Sequence, residues 1–492
     1  MALRRWRDSL LTRAAVCALL AAALWLAIAL AGTNSSRAAG GTATYTGTLP
    51  DGATYLIQVP SPWNGTLLLY SHGYVTPGSK NPATDVGDPA TGGYLLAHGY
   101  ALAGSSYATT GWAIQQAIPD QIATLDKFDS TVGTPTRTIA WGHSLGGIIT
   151  AGLMQDDPSR FDAALPMCGV VAGGVGTWNQ GLDSAFAIQQ LLPGGNTLQV
   201  VNITNPIGNL TNALAVAKAA QATQQGRARL ALSAALADLP GWFTPGSPEP
   251  AATDYTAQEA NQYQWESQID GPFAFALRAE LEARAGGNPS WNTGVNYFRQ
   301  LKQSVDYREV KALYTAAGLS LSADLNKLNS APRISADPNA VAYLTKYIVF
   351  NGNLGGKPVL TMHTTGDGLV NVQQEQAYRS AVQVAGDSQL LRQIFVHRAG
   401  HCAFTSAETI TALNALVQRL DTGHWGDLNP TDLNFSATAL GTSLNSFPAS
   451  FIHYRPLPFL RPFDLAGQGP PRDHGRAHSV AGRSRHAAHL HG

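Results

Sequence analysis

Residues 136–150 read Thr136-Arg137-Thr138-Ile139-Ala140-Trp141-Gly142-His143-Ser144-Leu145-Gly146-Gly147-Ile148-Ile149-Thr150. A β-branched run leads into Gly142-His143-Ser144-Leu145-Gly146, and an apolar, glycine-tolerant helix start follows. This order predicts strand, sharp turn and helix, with a serine at the apex. Gly142 and Gly146 have a steric task, because a strand reversing into a helix presses backbone against backbone where a Cβ would clash. The turn would project the Ser144 hydroxyl from the sheet, with the first N–H groups of the helix pointing the same way, ready to stabilise an oxyanion. The pentapeptide alone is weak: in a chain this rich in glycine, about 0.3 chance matches are expected. Its flanking strand and helix give it meaning.

A serine nucleophile needs a base within hydrogen-bond reach and an acid to orient that base. On a parallel sheet both should follow later strands, in the chain order serine, acid, histidine. An apolar run, Lys357–His363, leads into Thr364-Thr365-Gly366-Asp367-Gly368, and Asp367 there sits in a glycine-flanked loop after a buried strand. The alternative for Asp367 is a plain turn aspartate. Leu391–Val396 leads into His397-Arg398-Ala399-Gly400-His401-Cys402. His401, in the loop, is taken as the base, and His397, at the strand's end, as a structural histidine. The second oxyanion donor is expected from His72-Gly73-Tyr74 after the strand Thr66–Ser71, with the Tyr74 N–H joining that of Leu145.

Around these residues the chain alternates strand and helix. A hairpin, Thr42–Leu49 and Thr54–Val59, turns at Pro50-Asp51-Gly52. Strands at Thr66–Ser71, Tyr100–Ser105 and Ala163–Met167 alternate with helices near 92–99, 114–129 and 145–154. Such alternation predicts an α/β protein with a mostly parallel sheet covered on both faces. From 175 to 353 the chain becomes Ala/Gln/Leu-rich and helical in pattern, with scattered tryptophans, and reads as an inserted cap. The sheet resumes at 357, and Thr405 or Ser406 begins a helix with Glu408 in its first turn. The expected divisions are a signal at 1–31, a linker at 32–41, core at 42–174, cap at 175–353, core at 354–425, an extension at 426–466 and a disordered basic tail at 467–492. The tail's histidines invite a metal reading, but no cysteine ligand accompanies them.

The chain has 492 residues, of which 44% are hydrophobic and 13% charged, with a formal net charge of zero. That composition suits a globular protein with a sizeable core and argues against a nucleic-acid or polyanion partner. Arg4, Arg5, Arg7 and Arg13 precede an apolar run from Ala14 to Ala31, which reads as an export signal with Ala29-Leu30-Ala31 as a cleavage site. The run is nearly long enough to span a bilayer, so a membrane contact would follow if it stayed uncleaved. Removal of the signal takes Cys17 with it and leaves Cys168 and Cys402 of the three cysteines. Both sit beside the expected catalytic end of the sheet, and an oxidising compartment favours a disulfide between them over two buried thiols.

Taken as a set, His72-Gly73, Gly142-His143-Ser144-Leu145-Gly146, Asp367 and His401 resemble the motifs of the α/β-hydrolases, over residues 42–175 and 354–425. The resemblance implies an eight-stranded, mostly parallel sheet with a helical cap inserted after the sixth strand. It implies hydrolysis through an acyl-enzyme without metal or organic cofactor. It leaves the substrate open, since esterases, lipases and some peptidases share the apparatus. The expected activity is that of an exported serine esterase acting on a small or polymeric carboxylic ester. The alternatives are an exported serine peptidase of aminopeptidase type and a non-catalytic binding protein on a hydrolase scaffold. Ser71-His72-Gly73-Tyr74 departs from the Gly-Gly-Pro-Gly of secreted aminopeptidases of this fold. The tannase and feruloyl-esterase pattern, with a cysteine beside both serine and histidine, is met at Cys402 but not beside Ser144. The sequence sets no oligomeric state.

Overall fold

The computed structural model describes residues 41–463 and 465. The expected signal and the histidine-rich tail lie outside these residues, as does all of the linker but its last residue. Nine strands form one sheet: β1 (Ala43–Thr48), β2 (Thr54–Val59), β3 (Thr66–Ser71), β4 (Ala101–Ser105), β5 (Arg137–His143), β6 (Ala163–Met167), β7 (Val359–Gly366), β8 (Leu391–Ala399) and β9 (Phe451–Ile452). Their spatial order is β1-β2-β4-β3-β5-β6-β7-β8-β9. Strands β3 to β8 pair in parallel, while β1, β2 and β9 are antiparallel to their neighbours. The expected eight strands are therefore joined by a ninth at the β8 edge. It is two residues long, too short to leave a period-two pattern, and comes from the segment read as a plain extension.

Burial explains why the strands read as they do. Every residue of β3, β4 and β6 is buried, as expected for parallel strands covered on both faces, and their sequences are continuous apolar runs. Strand β1, at the edge, instead alternates exposed and half-buried residues. One face of the sheet packs on the helices Ile114–Thr131, Leu145–Asp156 and Gln374–Ala385 through Ile114, Phe128, Ile148, Leu153, Tyr378 and Val382. The other packs on Pro89–Ala97 and Ser406–Thr422 through Leu95, Ala412, Leu413 and Leu416, whose burial is complete or nearly so. Thr405 caps the latter helix in a reciprocal box with Glu408, as its sequence predicts.

Between β6 and β7 the chain builds the cap. It runs from the helix Gly173–Leu191 to the helix Pro338–Lys346 and has its own apolar clusters, one centred on Phe186, Leu232 and Tyr314 and another on Leu182, Leu210 and Phe275. Two stretches, Glu266–Asp270 and Phe273–Leu277, are π-helical. Wide turns of that kind concentrate at functional sites.

Candidate active site

At the end of β5 the chain turns sharply, and Ser144 is held at φ 58°, ψ −122°. A non-glycine residue there stores strain, a cost that persists only where the surroundings fix it. Here Ser144 N–H donates to Met167 O at 3.0 Å and Gly147 N–H donates to Ser144 O at 2.8 Å. A Cβ at Gly146 would lie 1.9 Å from Ser71 O, and one at Gly142 would lie 2.5 Å from the same atom. Both glycines are thus required by the close approach of β3 to the elbow, the steric task that the sequence assigns them.

Asp367 and His401 reach Ser144 from the loops after β7 and β8. His401 Nε2 lies 2.8 Å from Ser144 Oγ, and His401 Nδ1 lies 2.7 Å from Asp367 Oδ2. The other oxygen of Asp367 accepts from the N–H groups of Leu369 at 3.1 Å and Val370 at 3.0 Å. Asp367 is 1% exposed, so its carboxylate is fixed by these bonds rather than by water. Behind it, His363 bonds Glu375 Oε1 at 3.0 Å and Val370 O at 2.7 Å. Burial disfavours charge on His363, but Glu375, aided by Asp367, outweighs it and holds the imidazole above its ordinary pKa.

His397 lies apart from this chain of bonds. It is within β8, which runs three residues past its expected end, and faces Thr365 Oγ1 at 3.3 Å and Glu249 Oε2 at 3.4 Å. Two devices fix the His401 loop. Cys168 and Cys402 form a disulfide, which ties the residue after His401 to the end of β6. Arg398, at the end of β8, makes a two-pronged ion pair with Glu408 at 2.7 and 3.0 Å and donates to Ala403 O at 2.7 Å. The pairing of Arg398 with Glu408 escaped sequence reading. Its signal was a capping-box glutamate twelve residues after the strand expected to end at 396, with an arginine in between.

The loop after β3 lies against the serine. A Cβ at Gly73 would be 3.4 Å from Ser144 Cβ and 3.8 Å from its Oγ. Tyr74 and Leu145 share the wall of the cavity that contains Ser144. His72 supports this loop by stacking on Tyr107, with ring centroids 4.0 Å apart, and by bonding Gly73 O at 2.8 Å and Ser106 O at 3.1 Å.

The cavity holds about 120 Å³ and is closed on its far side by the cap, which contributes Trp178, Leu182, Ile188, Phe273 and Arg278. The inserted cap thus walls the site, and these residues are ones that sequence alone could not separate from ordinary core. Glu266 and Asp270 also line the cavity. Neither oxygen of Glu266 has a hydrogen-bond partner, nor has Oδ2 of Asp270. Burial pushes both carboxyls well above the usual range, and the charge on Asp367 adds to this at Asp270. Among the described residues, Cys168, His401 and Cys402 are near enough to share a metal ion, but the disulfide removes the thiolates that would bind one.

The prolyl oligopeptidase family matches residues 99–177, the span from β4 through the serine elbow into the first cap helix. The o-phthalyl amidase of Xanthobacter agilis is 31% identical over 427 residues, covering 80% of this chain and 91% of that protein. Among solved structures, feruloyl esterase B from Aspergillus oryzae aligns with 13% identity and a TM-score of 0.39, over 81% of this chain and 86% of that one. A second Aspergillus oryzae esterase aligns with 13% identity and a TM-score of 0.42, over 80% and 82%. With its sheet order, its serine elbow and its likeness to the amidase over 80% of its length, the chain belongs to the α/β-hydrolase superfamily of serine hydrolases, in the family of o-phthalyl amidase.

Proposed function

We propose that the protein hydrolyses carboxylic amides and esters with an aromatic acyl group, through an acyl-enzyme on Ser144. The observation that carries this reading is the bonded series Asp367–His401–Ser144, opening into a cavity of about 120 Å³. A cavity of roughly 150 Å³ accepts one benzene ring. Trp178 and Phe273 supply aromatic walls. The ester expectation is kept, and amides join it because the amidase relative is 31% identical over 80% of this chain.

In this mechanism His401 Nε2 takes the Ser144 proton as Oγ attacks the carbonyl carbon. Asp367 stabilises the imidazolium, and the N–H groups of Tyr74 and Leu145 bind the oxyanion. His401 then gives the proton to the departing amine or alcohol. Water enters by the same route in reverse and releases the acid. We also propose export. The basic and apolar residues 1–31 and the Cys168–Cys402 disulfide support it. No helix among the described residues is long and apolar enough to cross a membrane.

Matched amides and esters of benzoic acid, beside peptidyl arylamides, test the reading on the protein from residue 40 onward. Both benzoyl series should turn over, the esters faster. Turnover of the peptidyl arylamides alone would contradict it. Amino-terminal sequencing of protein from culture medium tests export, with a start near residue 32 expected.

A further inference from the structure

Behind the catalytic acid lies a second histidine that the mechanism does not use. His363, on β7, has no exposed side-chain surface. Its ring faces acceptors on both sides: Nδ1 lies 3.0 Å from Glu375 Oε1, and Nε2 lies 2.7 Å from Val370 O. A neutral imidazole carries one N–H and satisfies one of them, while its other nitrogen would set a lone pair against an oxygen. The imidazolium donates to both. The proton shared with Glu375 rests on the ring, because the other oxygen of that carboxylate already accepts from Thr361 Oγ1 and Gln393 Nε2. Bonds to a carboxylate favour its ionised form. Burial opposes charge on the ring, and Glu375 outweighs it.

This charge faces the catalytic acid. His363 Nε2 lies 3.7 Å from Asp367 Oδ2, the oxygen that His401 Nδ1 meets at 2.7 Å. Among the described residues, the ion pairs of Asp367 are with these two histidines. The other charged or titratable groups around the series are Asp270 of the cap, which feels the charge on Asp367, and His143 beside Ser144, which feels that on His401. Tyr378 and Arg379 lie on the helix that carries Glu375 and feel its charge. Arg379 donates to Gln393 Oε1 at 3.3 Å, so the positive charge next to Asp367 comes from His363. We propose that His363 is a permanent buried cation and a positioning residue, which holds Asp367 ionised and keeps the base His401 free of its proton to lower pH than an isolated Asp–His pair would. This rests on the acyl-enzyme reading of Ser144 and adds a control on the pH range of the same site. The sign follows from charge alone. A cation beside Asp367 disfavours a second cation at His401. Without it, the pull of Asp367 and Glu375 on the His401 proton is uncompensated, and His401 protonates at higher pH.

Neutron diffraction from wild-type crystals, at a pD above the ordinary histidine range, reads the charge directly. Deuterium should appear on both ring nitrogens of His363 and on neither oxygen of Glu375. Deuterium on one ring nitrogen alone would overturn the proposal, whether or not any variant folds. A second arm follows the rate at which a fluorophosphonate labels Ser144 as pH falls. In His363→Gln the acid limb should move upward by about one pH unit, so that labelling low on that limb is about tenfold slower than in wild type. A merely structural histidine would lower the melting temperature or the plateau rate and leave the limb where it was. An unmoved limb in folded His363→Gln, with wild-type Ser144 labelled, would therefore remove the proposal alone. No labelling of wild-type Ser144 at any pH would remove the acyl-enzyme reading and the proposal together.

Discussion

Asp367, Glu375 and Glu408, on the sheet side of the molecule, are buried with both oxygens of each carboxylate hydrogen bonded. Glu259, Glu266 and Glu309, in the cap, are buried with at least one oxygen of each unpartnered. The three sheet-side carboxylates each point a histidine or pin a loop, and each is satisfied before a substrate arrives. The cap acids keep acceptors open, and of them Glu266 lines the cavity. The contrast teaches that the sheet side is fully bonded where it positions the catalytic groups, while part of the cap is not.

The sharpest way to break the contrast is to remove the group that the sheet side exists to position. Ser144→Ala should lower kcat by on the order of 10⁴-fold or more while the fold persists, since the hydroxyl contributes the covalent step and little packing. His401→Ala should match it, whereas His397→Ala, at a solvent-facing ring outside the bonded series, should leave kcat nearly as it was. A reversed result for the two histidines would reassign the base.

Asp367→Asn comes next, at roughly 10²- to 10⁴-fold in kcat with little change in KM. The amide cannot stabilise the imidazolium, and its NH₂ would face the Leu369 and Val370 N–H groups or the histidine. Unchanged activity would mean that Glu375 acts through His363 in its place.

Removal of the disulfide by Cys168→Ala with Cys402→Ala should cost about 2–5 kcal/mol of stability, read as a lower melting temperature. Its effect on kcat should be smaller than that of Asp367→Asn, because Arg398 and Glu408 still hold the other side of the His401 loop. A loss of activity with no loss of stability would give the bridge a purely positional role.

These expectations divide the molecule much as sequence reading does. The elbow was legible because backbone contact at Gly142 and Gly146 excludes every other residue. Asp367 and His401 were legible because parallel strands deliver their following loops to one end of the sheet. Cys168 and Cys402 were legible because both adjoin those loops, and the bridge is present. Glu266 and Asp270 gave no such signal. A carboxylate in an Ala/Gln-rich helical stretch reads as a solvent-facing residue, and only the folded cap reveals that these two line the cavity. Phe451–Ile452 was missed for a different reason, since two residues carry no periodicity.

The smallest expected effect concerns the cap and pH. Burial raises the carboxyls of Asp238 and Glu259 to about 7 and that of Glu309 to about 8. Their folded values lie above the unfolded ones, so the folded state binds more protons between the two. Stability should therefore be greatest near the ordinary carboxylate range and fall as pH rises through about 7 to about 8. Melting temperatures from about pH 5 to about pH 9 check this, and Asp238→Asn with Glu309→Gln should flatten the slope. A melting temperature that climbs over that range would show that the cap acids are not buried in solution.

The central claim, that the sheet presents Ser144 as an activated nucleophile, is tested most directly by mass mapping of a fluorophosphonate adduct. Wild-type protein should carry one adduct per chain, on the peptide that contains Ser144, and His401→Ala should carry almost none in the same time. An adduct on another residue, or equal labelling of Ser144 with His401 removed, would contradict it.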